Sequence, residues 1–128
     1  MDPKSKTILV VDDSETNLVL LEAVLKERGL KVNTAKSVNQ AMDTLHSEKP
    51  DLILLDLLMP GVNGYDMLDR LKSSNEFKDM PVIIVSAVID PETQKTCLDK
   101  GAWDYMTKPV EIDTLLTRVG EILDTPHT

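Results

Sequence analysis

The stretch LILLDLLMPGVNG, from Leu52 to Gly64, decides the fold of this chain. It begins with four apolar residues, reaches a carboxylate at Asp56 and continues into a segment that contains proline and glycine, as turns do. A run that is apolar at every position indicates a strand buried on both faces, which is typical of the centre of a parallel sheet. Because burial of a carboxylate is costly unless something binds it, Asp56 is expected to have a partner at the end of the predicted strand Leu52–Asp56.

Four further short runs, of which the second along the chain is a weaker strand signal, alternate with stretches of helical periodicity. They predict strands at Thr7–Val11, Lys31–Ala35, Val82–Ser86 and Trp103–Thr107. Helices are predicted between and after the strands, with a cap at Ser14, a capping box of Ser37 with Gln40, and Pro91 in a first turn. The alternation predicts an α/β fold of the flavodoxin-like (βα)5 class. Its five-stranded parallel sheet has the order 2-1-3-4-5 and helices on both faces.

Length and charge limit the classes of function. With 128 residues, the chain is predicted to form a single domain, 1–128, with a core at about 7–123. A net charge of −8 argues against direct nucleic-acid binding. The single Cys97 cannot form an internal disulfide, which favours a cytoplasmic location. No apolar run is long enough to span a bilayer, and no membrane partner is expected.

Polar residues follow the strands at their carboxyl ends. Asp12 and Asp13 follow the first strand, Asp56 ends the third, Ser86 ends the fourth and Lys108 follows the fifth. In open α/β sheets, ligands bind outside the carboxyl ends of the strands, near the point where the strand order reverses. The five residues are therefore expected to form one site.

The negative charges of three clustered carboxylates repel one another and need to be compensated. At a spacing of ~4 Å and an effective dielectric constant near ~20, each pair repels by roughly 4 kcal/mol. Either the pKa values rise or a cation binds among Asp12, Asp13 and Asp56. Mg²⁺, a hard cation that keeps several waters, suits such an open cluster. Zinc is not indicated, because His46 and His127 lie on a predicted helix and in the tail.

The remaining two residues suit phosphoryl chemistry. A lysine and a hydroxyl beside metal-bound carboxylates, here Lys108 and Ser86, are groups that stabilise phosphoryl oxygens. A carboxylate can itself act as the nucleophile and form an aspartyl phosphate. Asp56 is the preferred nucleophile because it ends the predicted central strand.

Taken together, these motifs resemble the receiver domain of two-component response regulators, from about residue 7 to residue 123. The matching residues are Asp12–Asp13, Asp56 with Met59–Pro60 and Gly64, Ser86–Ala87, and Lys108–Pro109. The resemblance implies that Asp56 accepts a phosphoryl group from a sensor histidine kinase, a histidine phosphotransfer protein or a small acyl phosphate. It also implies that Asp13, Asp56 and the backbone carbonyl of Leu58 ligate Mg²⁺, that Asp12 acts mainly through water, and that Lys108 pairs with the phosphoryl oxygens.

The resemblance further implies a conformational switch and no other cofactor. Ser86 would bind a phosphoryl oxygen, and Tyr105 would rotate inward and change the surface of the fourth helix, fifth strand and fifth helix. This surface would bind an unknown output partner, with a phosphorylation-dependent homodimer as one form of output. Leu58 and Val88 are at positions that tune self-dephosphorylation in such domains. Both are apolar and orient no attacking water, so the domain would lose the phosphate slowly. The resemblance also implies that the domain assists its own phosphorylation and is not an enzyme.

Three alternatives remain beside the phosphoacceptor switch. A Mg²⁺-dependent aspartyl-phosphate phosphatase of the haloacid-dehalogenase type would have Asp at the second position after the nucleophile, where this chain has Leu58, and would usually carry a cap domain. A flavin carrier would have a Ser/Thr/Gly-rich loop after the first strand and more aromatic residues. A phosphorylation-independent binding module would have lost a key acid or the lysine, and neither is lost.

Overall fold

Five parallel strands and five helices make up most of the structure, a computed structural model that describes residues 6–59 and 62–124. The elements, in chain order, are β1 (Thr7–Val11), α1 (Glu15–Glu27), β2 (Lys31–Ala35), α2 (Val38–Ser47), β3 (Leu52–Leu55), β4 (Leu58–Met59), β5 (Val62–Asn63), α3 (Gly64–Ser73), β6 (Val82–Ser86), α4 (Pro91–Asp99), β7 (Asp104–Thr107) and α5 (Ile112–Asp124). The described residues contain no helix that is both long and apolar enough to cross a membrane.

The main sheet has the strand order β2-β1-β3-β6-β7, and all four pairings are parallel. These are the five strands predicted from the sequence, in the predicted order 2-1-3-4-5. The central strand, β3, is buried along its whole length, as its uninterrupted apolar run indicates. The predicted fold class is confirmed.

Two apolar layers cover the sheet, one on each face. Ile53 and Leu55 of β3 face a layer that includes residues of α2, α3 and α4, whereas Leu52 and Leu54 face a layer formed with α1 and α5. This alternation follows from the two-residue side-chain period of a strand. The helices therefore lie on both faces, as predicted.

The predicted helix starts are confirmed, with one difference in a cap. The hydroxyl of Ser14 accepts a hydrogen bond from the Asn17 N–H at 3.3 Å, and that of Ser37 accepts one from the Gln40 N–H at 3.1 Å. The prediction of a full capping box at Ser37 was wrong. Its reciprocal bond would join the Gln40 side chain to the Ser37 N–H, but Gln40 Oε1 instead accepts from the Lys36 N–H at 2.8 Å.

Two predicted strands are one residue shorter in the structure, although their hydrogen bonds continue. β3 ends at Leu55, yet the Asp56 N–H donates to the carbonyl of Val11 at 2.9 Å. β7 begins at Asp104, yet the Trp103 N–H donates to the carbonyl of Val82 at 2.8 Å. Both predicted end residues therefore remain bonded to the neighbouring strand.

The segment after Asp56 contains an element that the sequence did not predict. β4 and β5 pair antiparallel, with Leu58 opposite Asn63 and Met59 opposite Val62. The predicted turn at 59–64 thus includes a short hairpin. Its central residues, Pro60 and Gly61, lie outside the described residues.

Candidate functional site

The site lies at the carboxyl ends of β1 and β3, which are neighbours in the sheet. Because Val11 lies opposite Leu55, the next residues along the two strands, Asp12 and Asp56, are brought together. Asp12, Asp13 and Asp56 each place one carboxylate oxygen within 4.8 Å of the others. Asp12 and Asp56 are buried, with 2% and 4% exposure, whereas Asp13 is exposed to solvent. The cluster thus combines two buried acids with one open side.

Three donors from the described residues hold the buried carboxylate of Asp12. Its Oδ1 accepts from the backbone N–H of Ser14 at 2.8 Å, and its Oδ2 accepts from Lys108 Nζ at 2.9 Å and from Asn17 Nδ2 at 3.3 Å. Two of these donors come from the start of α1, so the cap that begins the helix also orients an acid of the site. Sequence reasoning missed Asn17. The available signal was its position three residues after the cap Ser14, where a capping box places its reciprocal side chain.

Lys108 bridges the two buried carboxylates. Its ammonium lies 2.9 Å from Asp12 Oδ2 and 3.1 Å from Asp56 Oδ2, and 21% of its side chain is exposed. The Lys108 N–H donates to the carbonyl of Ser86 at 2.8 Å, which fixes the lysine beside the end of β6. Burial by itself lowers the pKa of Lys108, but the hydrogen bonds and charges of Asp12 and Asp56 outweigh it and raise the pKa above its ordinary value. The lysine is therefore charged.

The donor chemistry of the cluster fits Mg²⁺. Three carboxylates face one ammonium, which leaves two negative charges that Lys108 does not match. Carboxylate oxygens are the ligands that hard divalent cations prefer, and the exposed Asp13 leaves room for water on one side. Leu58 lies in β4, and the predicted role of its backbone carbonyl as a ligand stays a prediction.

Ser86 and Tyr105 both bind the same residue of the loop after β6. Ser86 is fully buried, and its Oγ accepts from the Val88 N–H at 3.2 Å. The Tyr105 hydroxyl donates to the Val88 carbonyl at 2.7 Å. Burial raises the pKa of this hydroxyl, although a hydrogen bond with Ser86 opposes the change. The Tyr105 hydroxyl therefore stays protonated and can donate this hydrogen bond. The sequence assigned Val88 only a side-chain role, because backbone contacts between distant residues leave no sequence pattern.

A small cavity of about 140 Å³ adjoins the carboxylates. It is lined by Asp12, Asn17, Leu20, Leu21, Val85, Lys108, Pro109 and Val110. A larger cavity of about 330 Å³ is lined by Lys49, Pro50, Asp51, Asn75, Glu76, Asp79, Met80 and Pro81 and contains none of the predicted site residues. The smaller cavity thus shares Asp12 and Lys108 with the candidate site.

Comparisons with known proteins show similarity to one family over most of the chain. A family model described as the response regulator receiver domain matches residues 8–120. Protein PilH of Pseudomonas aeruginosa is 40% identical over 117 residues, which cover 91% of this chain and 96% of PilH. The sensory/regulatory protein RpfC of Xanthomonas campestris pv. campestris is 34% identical over 121 residues, but this chain spans only 17% of its length. The crystal structure of a CheY-like response regulator receiver domain protein from Methanospirillum hungatei JF-1 has a TM-score of 0.87 at 28% identity and covers 94% of this chain and 95% of that one.

Proposed function

Because this chain belongs to the response regulator receiver domain family, we propose that it is a phosphoacceptor switch in which Asp56 accepts a phosphoryl group. The observation that supports this most is the position of Asp56. It is a nearly buried carboxylate at the end of the central strand, clustered with Asp12 and Asp13 and held by the ammonium of Lys108. A buried acid with a cationic partner on a flexible side chain and an open side is suited to reversible modification.

The phosphoryl donor would be a phosphohistidine of a sensor histidine kinase or of a histidine phosphotransfer protein. An oxygen of Asp56 attacks phosphorus, so that a P–O bond forms while the P–N bond to the donor breaks. The imidazole leaves and takes up a proton from solvent. With a small acyl phosphate, the P–O bond to the donor breaks instead and a carboxylate leaves. Lys108, already 3.1 Å from Asp56 Oδ2, stabilises the phosphoryl oxygens.

The residues that would hold Mg²⁺ are Asp13, Asp56 and the backbone carbonyl of Leu58, with Asp12 acting mainly through water. The bound ion would compensate negative charge on the acceptor carboxylate and on the phosphoryl group. Asp12 and Asp13 contribute by placing negative charge where the cation is needed. Lys108 competes for the same carboxylates in the unmodified protein and is free to pair with the phosphoryl oxygens once Asp56 is modified.

The switch would act through the loop residue Val88. The Ser86 hydroxyl oxygen now accepts a hydrogen bond from the Val88 N–H. This hydroxyl must therefore reorient before it can bind a phosphoryl oxygen. Tyr105 holds the carbonyl side of the same residue, so a movement of Ser86 is transmitted to the start of α4 and to β7. The surface of α4, β7 and α5 would then change its affinity for an output partner, including a second copy of the chain. We propose slow dephosphorylation, because neither Leu58 nor Val88 carries a side chain that can orient water.

Intact mass spectrometry tests the proposed function. The protein is mixed with Mg²⁺ and a small acyl phosphate, and a single phosphoryl adduct is expected. Asp56→Asn should abolish the adduct because the amide is a poor nucleophile. Asp69→Asn removes an exposed acid that pairs with Lys100 at 3.0 Å, and it should leave the adduct unchanged. An adduct that persists in Asp56→Asn, or none with any acyl phosphate or histidine kinase, contradicts the proposal.

The alternatives have less support. A receiver domain is a signalling domain, which favours a switch over a Mg²⁺-dependent phosphatase that turns over a substrate. A module that binds partners without phosphorylation would not need both buried acids and the lysine in one contact network. The mass experiment separates these cases, because a stable single adduct is expected only of the switch.

A further inference from the structure

Asn17 contacts the candidate site but has no role in the chemistry proposed above. It lies in the first turn of α1, where its backbone N–H donates to Ser14 Oγ at 3.3 Å. Its side-chain Nδ2 donates to Asp12 Oδ2, also at 3.3 Å. The backbone contact fixes the position of Asn17, and the side chain connects the start of the helix to the buried acid.

The two donors to Asp12 Oδ2 differ in charge. Lys108 is a cation on a flexible four-carbon stem, so its contact neutralises the carboxylate and can be exchanged. The Asn17 amide is neutral, so it orients the carboxylate and leaves its full negative charge available. The backbone N–H of Ser14, which donates to Oδ1 at 2.8 Å, is neutral as well. Asp12 is thus held by two neutral donors from α1 and one cation from the loop after β7.

The difference matters when Asp56 is modified. In the proposed function, Lys108 turns to the phosphoryl oxygens, and Asp12 then loses its cationic contact. A buried carboxylate with one donor fewer would lose orientation unless the remaining donors hold it. Of the donors to Asp12 Oδ2 in the described part of the chain, the Asn17 amide is the one that does not depend on Lys108.

We propose that Asn17 is a positioning residue that holds Asp12 in the orientation required for Mg²⁺ while Lys108 exchanges between carboxylate and phosphoryl group. This inference rests on the proposed function. Partners of this kind, one step removed from the metal, orient the groups that serve it, and their removal typically lowers metal affinity by about 10- to 100-fold. An effect near the lower end is expected, because Asp12 would contact the ion mainly through water.

Titration of the full chain with Mg²⁺ alone, followed by ¹H–¹⁵N spectra, tests this inference. Two variants lack the amide but differ in shape, Asn17→Ala and Asn17→Leu. The Kd for Mg²⁺ should rise about tenfold in both. The matched control is Asn33→Ala, which removes an amide donor to Glu48 Oε1 at 3.2 Å, away from the site, and should leave the Kd unchanged.

Urea unfolding without Mg²⁺ separates positioning from a structural role. Alanine has a higher helix propensity than asparagine, so Asn17→Ala should lose Mg²⁺ affinity without a matching loss of stability. An unchanged Kd in both variants overturns the inference while leaving the proposed function intact. A change of the Kd in only one of the two variants also overturns the inference, because such a result indicates an effect of side-chain packing and not of the lost amide. Absence of Mg²⁺ binding by the unaltered protein would instead overturn the proposed function, and this inference with it.

Discussion

At the scale of single residues, the site depends on one lysine whose ammonium binds two buried carboxylates at the same time. Lys108 lies 2.9 Å from an oxygen of Asp12 and 3.1 Å from an oxygen of Asp56, and both acids are nearly inaccessible to water. Removing one partner of a buried ion pair costs more than the pair contributes, because the remaining charges stay buried without compensation. Loss of Lys108 alone is therefore expected to destabilise the unmodified protein, and in the proposed function the same lysine would also pair with the phosphoryl oxygens.

Replacement of Lys108 tests this dual role. Lys108→Met keeps much of the apolar stem but leaves two buried carboxylates without their ammonium. We expect the free energy of unfolding, measured by urea denaturation without Mg²⁺, to fall by about 1–3 kcal/mol, below the full cost of breaking a buried pair because 21% of the lysine side chain is exposed. Added Mg²⁺ should recover part of this loss.

A surface ion pair provides the control. Lys36→Met removes a cation that pairs with Glu15, and both side chains are largely exposed. Exposed pairs contribute little, so the stability should hardly change. Equal effects of the two substitutions would contradict the importance assigned to the buried bridge.

At the scale of elements, two helices end at glycines that differ in their surroundings. Gly29, after α1, has φ +81° and Gly101, after α4, has φ +108°, in a region that side chains rarely adopt. A Cβ at Gly29 would meet no atom within 4 Å, whereas one at Gly101 would lie 3.1 Å from methylene carbons of Lys72. Lys72 cannot withdraw freely, because its ammonium donates to the carbonyls of Met80 at 2.9 Å and Lys78 at 3.2 Å.

Alanine substitution at both glycines separates backbone strain from crowding. Gly29→Ala should lower the free energy of unfolding by about 1–2 kcal/mol, the cost of the left-handed conformation. Gly101→Ala should cost roughly 1 kcal/mol more, because it also crowds Lys72. Urea denaturation of the two variants measures the difference. Equal losses would indicate that Lys72 moves aside without cost.

At the scale of the whole molecule, the site and the surface that would respond to phosphorylation lie at different positions on the same sheet. Asp56 lies at the carboxyl end of the central strand, whereas β7 lies at the sheet edge and is bordered by α4. Large apolar side chains are exposed in this region: Ile89 is 72% exposed, Leu98 48% and Trp103 43%. The contacts of Ser86 and Tyr105 with Val88 connect the two regions.

Amide spectra before and after phosphorylation test this transmission. With Mg²⁺ and a small acyl phosphate, the largest shift changes beyond the site should fall on Val88, α4, β7 and α5. The amides of α2 should change little, and Asp56→Asn should abolish the response. Changes confined to residues that contact Asp56 would show that the phosphoryl group does not alter the output surface.

The order of elements was predictable from the sequence because it depends on local periodicity. The apolar run of β3 and the caps at Ser14 and Ser37 are local signals, and the structure has them where they were predicted. The β4–β5 hairpin was missed because its strands have only two residues each. The redirected Gln40 side chain was missed because sequence spacing does not distinguish between the N–H groups of Lys36 and Ser37.

The sequence by itself determined which residues reach the edge of the sheet, since each of Asp12, Asp56, Ser86 and Lys108 lies at or just after the end of a strand that was predicted from the sequence. Only the tertiary structure decided how these residues share their contacts. Lys108 reaches Asp12 across 96 positions in the chain, and Tyr105 reaches Val88 across 17. The physical reason is that strand ends follow from local patterns, whereas donors and acceptors are paired by the register and packing of distant strands and loops.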